Sequence, residues 1–123
     1  LDEYGHLNNA RYPLYFEEGR LELQRIAGMD AKSLIDMRVG LFVHRSVYTY
    51  KKPVCGNEPV TVQSRFVSYE GGLTLRTFHM MKSEKGLLAT ANMDHALFDF
   101  ENDKLITNIP EWLVQRMYVQ WIF

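Results

Sequence analysis

The sequence predicts a single α+β domain in which one long helix packs on one face of an antiparallel sheet. The chain has 123 residues, the size of one ordinary domain. Apolar residues recur at helical spacing near the N-terminus, whereas from Val39 to Phe98 they alternate with polar residues as in strands. Apolar residues make up 46% of the chain and charged residues 24%, which argues against a disordered chain.

The first predicted element is a helix from Asn8 to Ala27. Asn8 or Asn9 can cap it, because a short amide oxygen accepts a hydrogen bond from a free N–H of the first turn. Pro13 comes early enough to be tolerated, and Gly28 suits the position just after the last turn. Steps of three and four residues predict one buried stripe, formed by Tyr12, Phe16, Gly19, Leu23 and Ile26.

Two features of this helix predict contacts. Gly19 lowers helix stability, which indicates that other backbone approaches the helix closely at that residue. Glu17 and Arg20 are three residues apart, so their side chains can form an ion pair on the helix surface.

Four consecutive antiparallel strands joined by short turns are predicted next. The first runs from Val39 to Tyr50, and the others cover 60–66, 73–82 and 87–98. The turns read CGNEP at 55–59, EGG at 70–72 and SEKG at 83–86. In the first strand, alternation places Val39, Leu41, Val43 and Val47 on one face and Phe42, His44, Ser46 and Tyr48 on the other.

The C-terminal part is predicted as a polar connection followed by a helix. The connection contains Asn102, Asp103 and Asn108, and Pro110 lies near the first helical position. The apolar residues of this helix are expected to dock on the domain: Trp112, Leu113 and Met117. The ending YVQWIF at 118–123 has no place in this pattern and can pack on a partner chain.

Charge and cysteine content argue against several classes of function. The net charge is −1, so there is no electrostatic case for nucleic acid, and no apolar run reaches the ~18–20 residues that span a bilayer. Cys55 is the only cysteine, which excludes an internal disulfide and favours a reducing, cytoplasmic location. His44, His79 and His95 lie on separate strands without metal-ligand spacing, so neither a metal nor a cofactor is expected.

Three stretches resemble one family. The pattern DxxGHLNNAxY at 2–12, followed by Phe16-Glu17-x-x-Arg20, resembles the opening motif of hot-dog-fold acyl-CoA thioesterases. The closest groups are the 4-hydroxybenzoyl-CoA thioesterase type and the long-chain acyl-CoA thioesterases. The stretches YKKPVxGN at 50–57 and NIP at 108–110 resemble the second-strand exit and the C-terminal helix entry of that family.

The resemblance implies a central helix wrapped by an antiparallel sheet, in dimers or tetramers with active sites between subunits. The sheets of a dimer join edge to edge. The first strand of the family normally precedes the aspartate, and here the motif begins at once. We therefore expect further residues upstream of Leu1, including a strand that completes the sheet.

Asp2 matches the catalytic aspartate of the family. Water is a poor nucleophile at neutral pH, so a carboxylate can either accept its proton or attack the thioester carbonyl directly. The sequence leaves these two mechanisms open. A helix N-terminus supplies free N–H groups and a positive dipole end, which suit the negative charge developing on the carbonyl oxygen.

The rest of the motif carries several roles. Gly5 allows a positive φ or the close approach of a ligand, or is an ordinary turn glycine. His6 can orient Asp2, touch the thioester or bond to backbone. The resemblance implies that the backbone N–H near Asn9 donates to the thioester oxygen, although Asn8 and Asn9 are also helix caps.

Further candidates bind substrate. Tyr12 and Phe16 can line the acyl pocket, although Tyr12 also suits the core, and Glu17 is a rival carboxylate if it is not paired with Arg20. The phosphates of CoA need cations, for which the candidates are Lys51, Lys52, Arg65 and Arg76. Some family members carry basic residues at the third hairpin, where this chain has EGG, so an acyl-carrier protein is also a possible thioester carrier.

The leading hypothesis is an enzyme that hydrolyses acyl-CoA. A second hypothesis is a non-catalytic module that binds acyl thioesters on the same fold, and it predicts binding without turnover. A hot-dog hydratase or dehydratase is a third, but those enzymes carry a different His-bearing helix motif that this sequence lacks.

Overall fold

A computed structural model describes residues 11–55, 58–67, 75–108, 110–116 and 120–122. Its helices are α1 (Tyr12–Ile26), α2 (Ala31–Asp36) and α3 (Glu111–Arg116). Its strands are β1 (Val39–Tyr50), β2 (Thr61–Val67), β3 (Leu75–Ser83), β4 (Gly86–Asp99), β5 (Lys104–Leu105) and β6 (Gln120–Ile122). Within these residues no helix is long and apolar enough to cross a bilayer.

The strands form one antiparallel sheet in the order β1-β4-β3-β2-β6, with β5 beside the end of β4. The predicted meander is therefore wrong at its first step, because β1 pairs with β4 and not with β2. Alternation reveals a strand but not its partner. The exit of β1 is held beside β4, since the N–H groups of Lys51 and Lys52 donate to the carbonyl of Leu88 at 2.8 and 3.0 Å.

A bulge in β1 also corrects the predicted alternation. The register with β4 shifts between Val43 and Arg45, so that one extra residue enters the strand. Beyond it, Tyr48 lies opposite the buried Ala91 and faces α1, whereas Val47 faces away and is 42% exposed. The predicted grouping of Val47 with Val39 on one face is therefore wrong.

Helix α1 packs on the sheet through the predicted stripe. Tyr12, Phe16, Gly19 and Leu23 are buried, whereas Ile26 is half-buried and Gln24 takes a buried place instead. The Gln24 side chain donates to the carbonyl of Met29 at 3.0 Å, which satisfies its amide in the interior.

The two ends of α1 differ in how well they were predicted. Gly28 ends the helix as expected, with φ +71°, and the N–H of Met29 donates to the carbonyl of Gln24 at 2.7 Å, which is a Schellman arrangement. At the other end, Arg11 holds the N-cap position, so α1 begins at Tyr12 rather than at Asn8 and neither asparagine is its N-cap.

The core consists of two apolar clusters under α1. The first surrounds Tyr12 and Phe16 and includes Val54, Val62 and Leu88. The second surrounds Leu23 and includes Leu34 of α2 and Leu113 of α3, with Trp112 packed against it. The predicted docking of the C-terminal helix is thus confirmed for Trp112 and Leu113, while Met117 lies outside the described residues.

Three short elements were not predicted. Helix α2 is capped by Asp30, whose side chain accepts from the N–H of Ser33 at 3.4 Å. Strand β5 lies in the connection expected to be irregular. Part of the YVQWIF ending forms β6, which extends the sheet beside β2, so its backbone pairs within the chain. The predicted EGG turn lies outside the described residues.

Candidate active site

The N-terminal motif at 2–12 leads directly into the first turn of α1. Asp2, Gly5, His6 and Asn9 lie outside the described residues, so their roles stay predictions. From Arg11 onward, no side chain caps the helix at its N-cap position, and a proline follows at the first or second helical position. The residue at the N-cap position thus contributes no side-chain acceptor to the N–H groups of the first turn.

Two stretches that are distant in the sequence meet beside this helix start. The ring of Tyr12 packs edge-on against Tyr50, with centroids 4.8 Å apart, and Phe16 lies 5.9 Å from the ring of Tyr48. Tyr50 directly precedes Lys51 and Lys52. The opening motif and the YKKPVxGN stretch therefore contribute to one region, which we call the helix-start region (Tyr12, Phe16, Tyr48 and 50–52).

Two aromatic residues of this region, Tyr12 and Phe16, belong to the core, whereas Tyr50 is 43% exposed. Tyr12 is 3% exposed and Phe16 is fully buried, so in the single chain both support the sheet from within. The two lysines are exposed, and the Lys52 ammonium donates to the carbonyl of Lys85 in the β3–β4 turn. The helix-start region thus combines an apolar floor with a basic rim.

The two predicted arginines lie elsewhere. Arg65 and Arg76 project from the sheet face that points away from α1, which we call the outer face. Met81 of β3 belongs to the first core cluster, together with Tyr12 and Phe16. Arg76 lies five residues before Met81 on the same strand, which corresponds to about 17 Å along the strand. The structure therefore does not bring the four predicted cations together.

Both arginines have local partners. The Arg76 guanidinium donates to both carboxylate oxygens of Asp94, at 2.6 and 3.3 Å, and this hydrogen bonding lowers the pKa of Asp94. The Arg65 guanidinium lies 5.4 Å from the ring centroid of Phe78.

Glu17 is engaged on the helix surface. It forms the predicted ion pair with Arg20, whose guanidinium also donates to the side chain of Gln24. The ion pair favours the structural interpretation of Glu17 over that of a rival catalytic carboxylate.

A buried polar cluster, made of Ser64, Thr77 and His79, was missed in the sequence. The Ser64 hydroxyl lies 2.6 Å from Nδ1 of His79, and the Thr77 hydroxyl lies 2.7 Å from Nε2. Burial, together with the nearby His95 and Arg20, lowers the pKa of His79 to about 3. The imidazole is therefore neutral at pH 7, with one ring nitrogen donating and the other accepting.

His95 lies near this cluster on β4. Its Nδ1 is 3.0 Å from the carbonyl of Leu75, and since a carbonyl only accepts, Nδ1 carries the proton. Nε2 is buried without a hydrogen-bond partner among the described residues. Burial is the main reason that the pKa of His95 falls to about 4.

Gly19 of α1 lies directly above the cluster. A Cβ at this residue would come within 2.8 Å of both the Ser64 hydroxyl and a methyl group of Val62. The predicted close approach is real, but side chains of β2 make it rather than backbone. The sequence could have indicated the cluster, because Thr77 and His79 alternate with the outward-facing residues of β3 and so share the inward face with the apolar Leu75 and Met81.

A groove of about 760 Å³ lies farther along the molecule, between α1, α2 and the start of β1. Its apolar lining includes Leu21, Leu41, Phe42 and Phe100. Across the described part of the chain, no three His, Cys, Asp or Glu side chains are grouped so that they could hold a metal ion.

Comparison with known proteins identifies the class. Residues 1–117 match the model of the thioesterase-like superfamily, and the chain therefore belongs to this family. No curated protein sequence matches at a significant level.

Solved structures agree with this fold. A probable thioesterase of Escherichia coli, YbaW, has a TM-score of 0.82 and 22% identity, over 97% of this chain and 91% of that one. The hypothetical protein SAV2348 of Staphylococcus aureus, solved in complex with CoA, has a TM-score of 0.81 and 19% identity, over 94% and 73%. A hypothetical protein of Aquifex aeolicus has a TM-score of 0.78 and 24% identity, over 94% and 89%. The chain has the predicted α+β hot-dog fold.

Proposed function

We propose that this protein hydrolyses an acyl-CoA thioester to a free acid and CoA. The meeting of the opening motif with the YKKPVxGN stretch, through the Tyr12–Tyr50 contact, carries the proposal. This contact brings the start of α1 beside two exposed lysines, in a chain that belongs to the thioesterase-like superfamily. The single cysteine favours a cytoplasmic location.

In this proposal Asp2 supplies the carboxylate. It accepts a proton from water as the water oxygen attacks the thioester carbon, or it attacks that carbon itself and forms an anhydride that water then cleaves. The C–S bond breaks in both routes: in the first, Asp2 returns the proton that it took from water to the departing sulfur, and in the second, CoA leaves as a thiolate that solvent protonates before water cleaves the anhydride and restores the Asp2 carboxylate. Gly5 lets the chain approach the substrate, and His6 orients the carboxylate.

The carbonyl oxygen gains negative charge during attack. The backbone N–H near Asn9 is proposed to donate to it. The N-terminal dipole of the helix favours the same charge, and the absence of a capping side chain at Arg11 is compatible with this role.

The substrate is proposed to lie over the helix-start region. Lys51 and Lys52 would bind phosphates of CoA, while Tyr12 and Phe16 would support the acyl side from beneath. SAV2348, with the same fold, was solved in complex with CoA, which makes CoA the first carrier to test and an acyl-carrier protein the second. A role for Arg65 and Arg76 in CoA binding stays a prediction.

We also propose a homodimer formed through the free edge of β1, with a tetramer as the alternative assembly. Among the described strands β1 pairs only with β4, and several large apolar side chains beside its open edge are exposed: Phe42, Val43, Val47 and Tyr50. An open apolar edge is a template for pairing with another strand. Sedimentation equilibrium at micromolar concentration should give at least twice the chain mass, and a monomer would contradict this proposal.

The activity is tested by incubating the protein with a panel of aliphatic and aromatic acyl-CoAs and a thiol reagent. We expect thiol release above background, and we expect Asp2→Asn to lower kcat/KM by about 100-fold or more, as for removal of a general base or nucleophile. Asp36→Asn, at an exposed residue of α2, is the control and should retain activity.

Two results would contradict the proposal. Absence of release with every thioester would exclude hydrolysis of these substrates, and calorimetric binding of the same thioesters would then support the non-catalytic module. Full activity of a folded Asp2→Asn protein would show that another group performs the chemistry.

A further inference from the structure

The outer face of the sheet carries an excess of positive charge. On strands β1 to β4 it presents four basic side chains, Arg45, Arg65, Arg76 and Lys82, whereas Asp94 is its one carboxylate among the described strand residues. The chain as a whole has a net charge of −1. The strand residues of this face thus carry a net positive charge, although the chain as a whole is slightly acidic.

Two of these arginines are held in place. Asp94 lies between Arg45 and Arg76 in the strand register and binds the Arg76 guanidinium through both oxygens. Arg65 lies over the ring of Phe78, 5.4 Å from its centroid. Side chains already ordered in the free protein lose less conformational entropy when a partner binds.

The face also carries apolar surface between its charges. Phe78 and Met80 are half-buried on β3, and Val47 is exposed on β1. Arginine, methionine and aromatic residues are the types enriched where proteins meet proteins, and the guanidinium group binds carboxylates through two parallel hydrogen bonds.

We propose that this outer face docks an acidic surface of another protein. Charge complementarity identifies the occupant. A second copy of this chain, placed face to face, would bring like charges together, which is unfavourable. The aliphatic side chains of Val47 and Met80 beside the arginines favour a protein surface, which offers apolar and acidic groups together, over nucleic acid, whose outer surface presents sugars and phosphates.

The test uses fluorescence anisotropy with two labelled probes at low salt. One probe is a 16-residue peptide rich in glutamate with a leucine at every fourth residue, and the other is a 16-nucleotide single-stranded DNA. The variant is Arg45→Gln/Arg65→Gln, at two exposed residues of the face. The control is Lys32→Gln/Lys104→Gln, which removes the same charge from exposed residues of α2 and β5.

We expect the peptide to bind the wild-type protein more tightly than the DNA does. The arginine variant should weaken peptide binding about fivefold, as for loss of two exposed charge contacts, and the lysine control less than twofold. Absence of peptide binding, or equal losses in the variant and the control, would overturn the proposal. Tighter binding of DNA through the same arginines would also overturn it.

Discussion

The two faces of strand β3 accommodate polar side chains in opposite ways. On the inner face, Thr77 and His79 are buried and uncharged, and each makes a hydrogen bond within the cluster. On the outer face, Arg76, which precedes Thr77, keeps its charge, pairs with Asp94 and remains partly exposed to solvent. Adjacent residues thus have different electrostatic environments because their side chains alternate across the sheet.

The difference in solvent exposure between the two faces determines how much stability is lost when a polar side chain loses its hydrogen-bond partner. Water can replace a lost contact on the outer face, but beneath α1 a polar group without a partner bears the full penalty of its burial. We therefore expect perturbations of the inner face to destabilise the protein more than perturbations of the outer face.

Acid should have the largest effect. The folded-state pKa values of His79, about 3, and His95, about 4, lie below the value of about 6.5 in the unfolded chain, so protons bind preferentially to the unfolded chain. Stability should be level above about pH 6.5 and fall by several kcal/mol between pH 6.5 and 4. Urea denaturation at a series of pH values measures this slope.

Two histidine variants sharpen the acid experiment. His95→Gln removes a buried imidazole and should reduce the slope, and His44→Gln, at an exposed residue of β1, is the control for the substitution itself. Equal slopes in all three proteins would show that the buried histidine does not cause the loss. Asp94 should contribute only at lower pH, because the pairing with Arg76 lowers its pKa.

Gly19→Ala should have the next largest effect. The added methyl group would lie 2.8 Å from the Ser64 hydroxyl and from Val62, so α1 must move or the cluster must open. We expect a net loss of about 2 kcal/mol in the free energy of unfolding, even though alanine favours the helix by about 1 kcal/mol. Urea denaturation checks it, with Leu21→Ala on the exposed side of α1 as the control. A more stable Gly19→Ala protein would refute the close packing.

The direct comparison of the two faces should show the smallest effects. Ser64→Ala leaves Nδ1 of His79 without its hydroxyl partner and should cost about 1.5 kcal/mol. Asp94→Asn weakens a partly exposed ion pair and should cost about 1 kcal/mol or less. Both values come from chemical denaturation at pH 7. If Asp94→Asn proved the more destabilising, the proposed difference between the faces would be wrong.

Much of the fold could be predicted from local patterns. The stripe on α1, its end at Gly28 and the bounds of β1 follow from side-chain periodicity and from glycine conformation, which are properties of neighbouring residues. The candidate site is less complete. The motif at 2–12 indicated the thioesterase class, which the family match confirms, while the roles of Asp2, Gly5, His6 and Asn9 stay predictions.

The sequence by itself thus determined the long helix, the four long strands and the family, because periodicity and motif are properties of residues close together in the chain. Only the tertiary structure decided that β1 pairs with β4, that a bulge turns Tyr48 inward and that β6 extends the sheet. It also decided that His79 meets Ser64 beneath Gly19 while Arg76 meets Asp94 on the other face. These contacts join residues far apart in the chain, and local periodicity carries no information about which strands become neighbours.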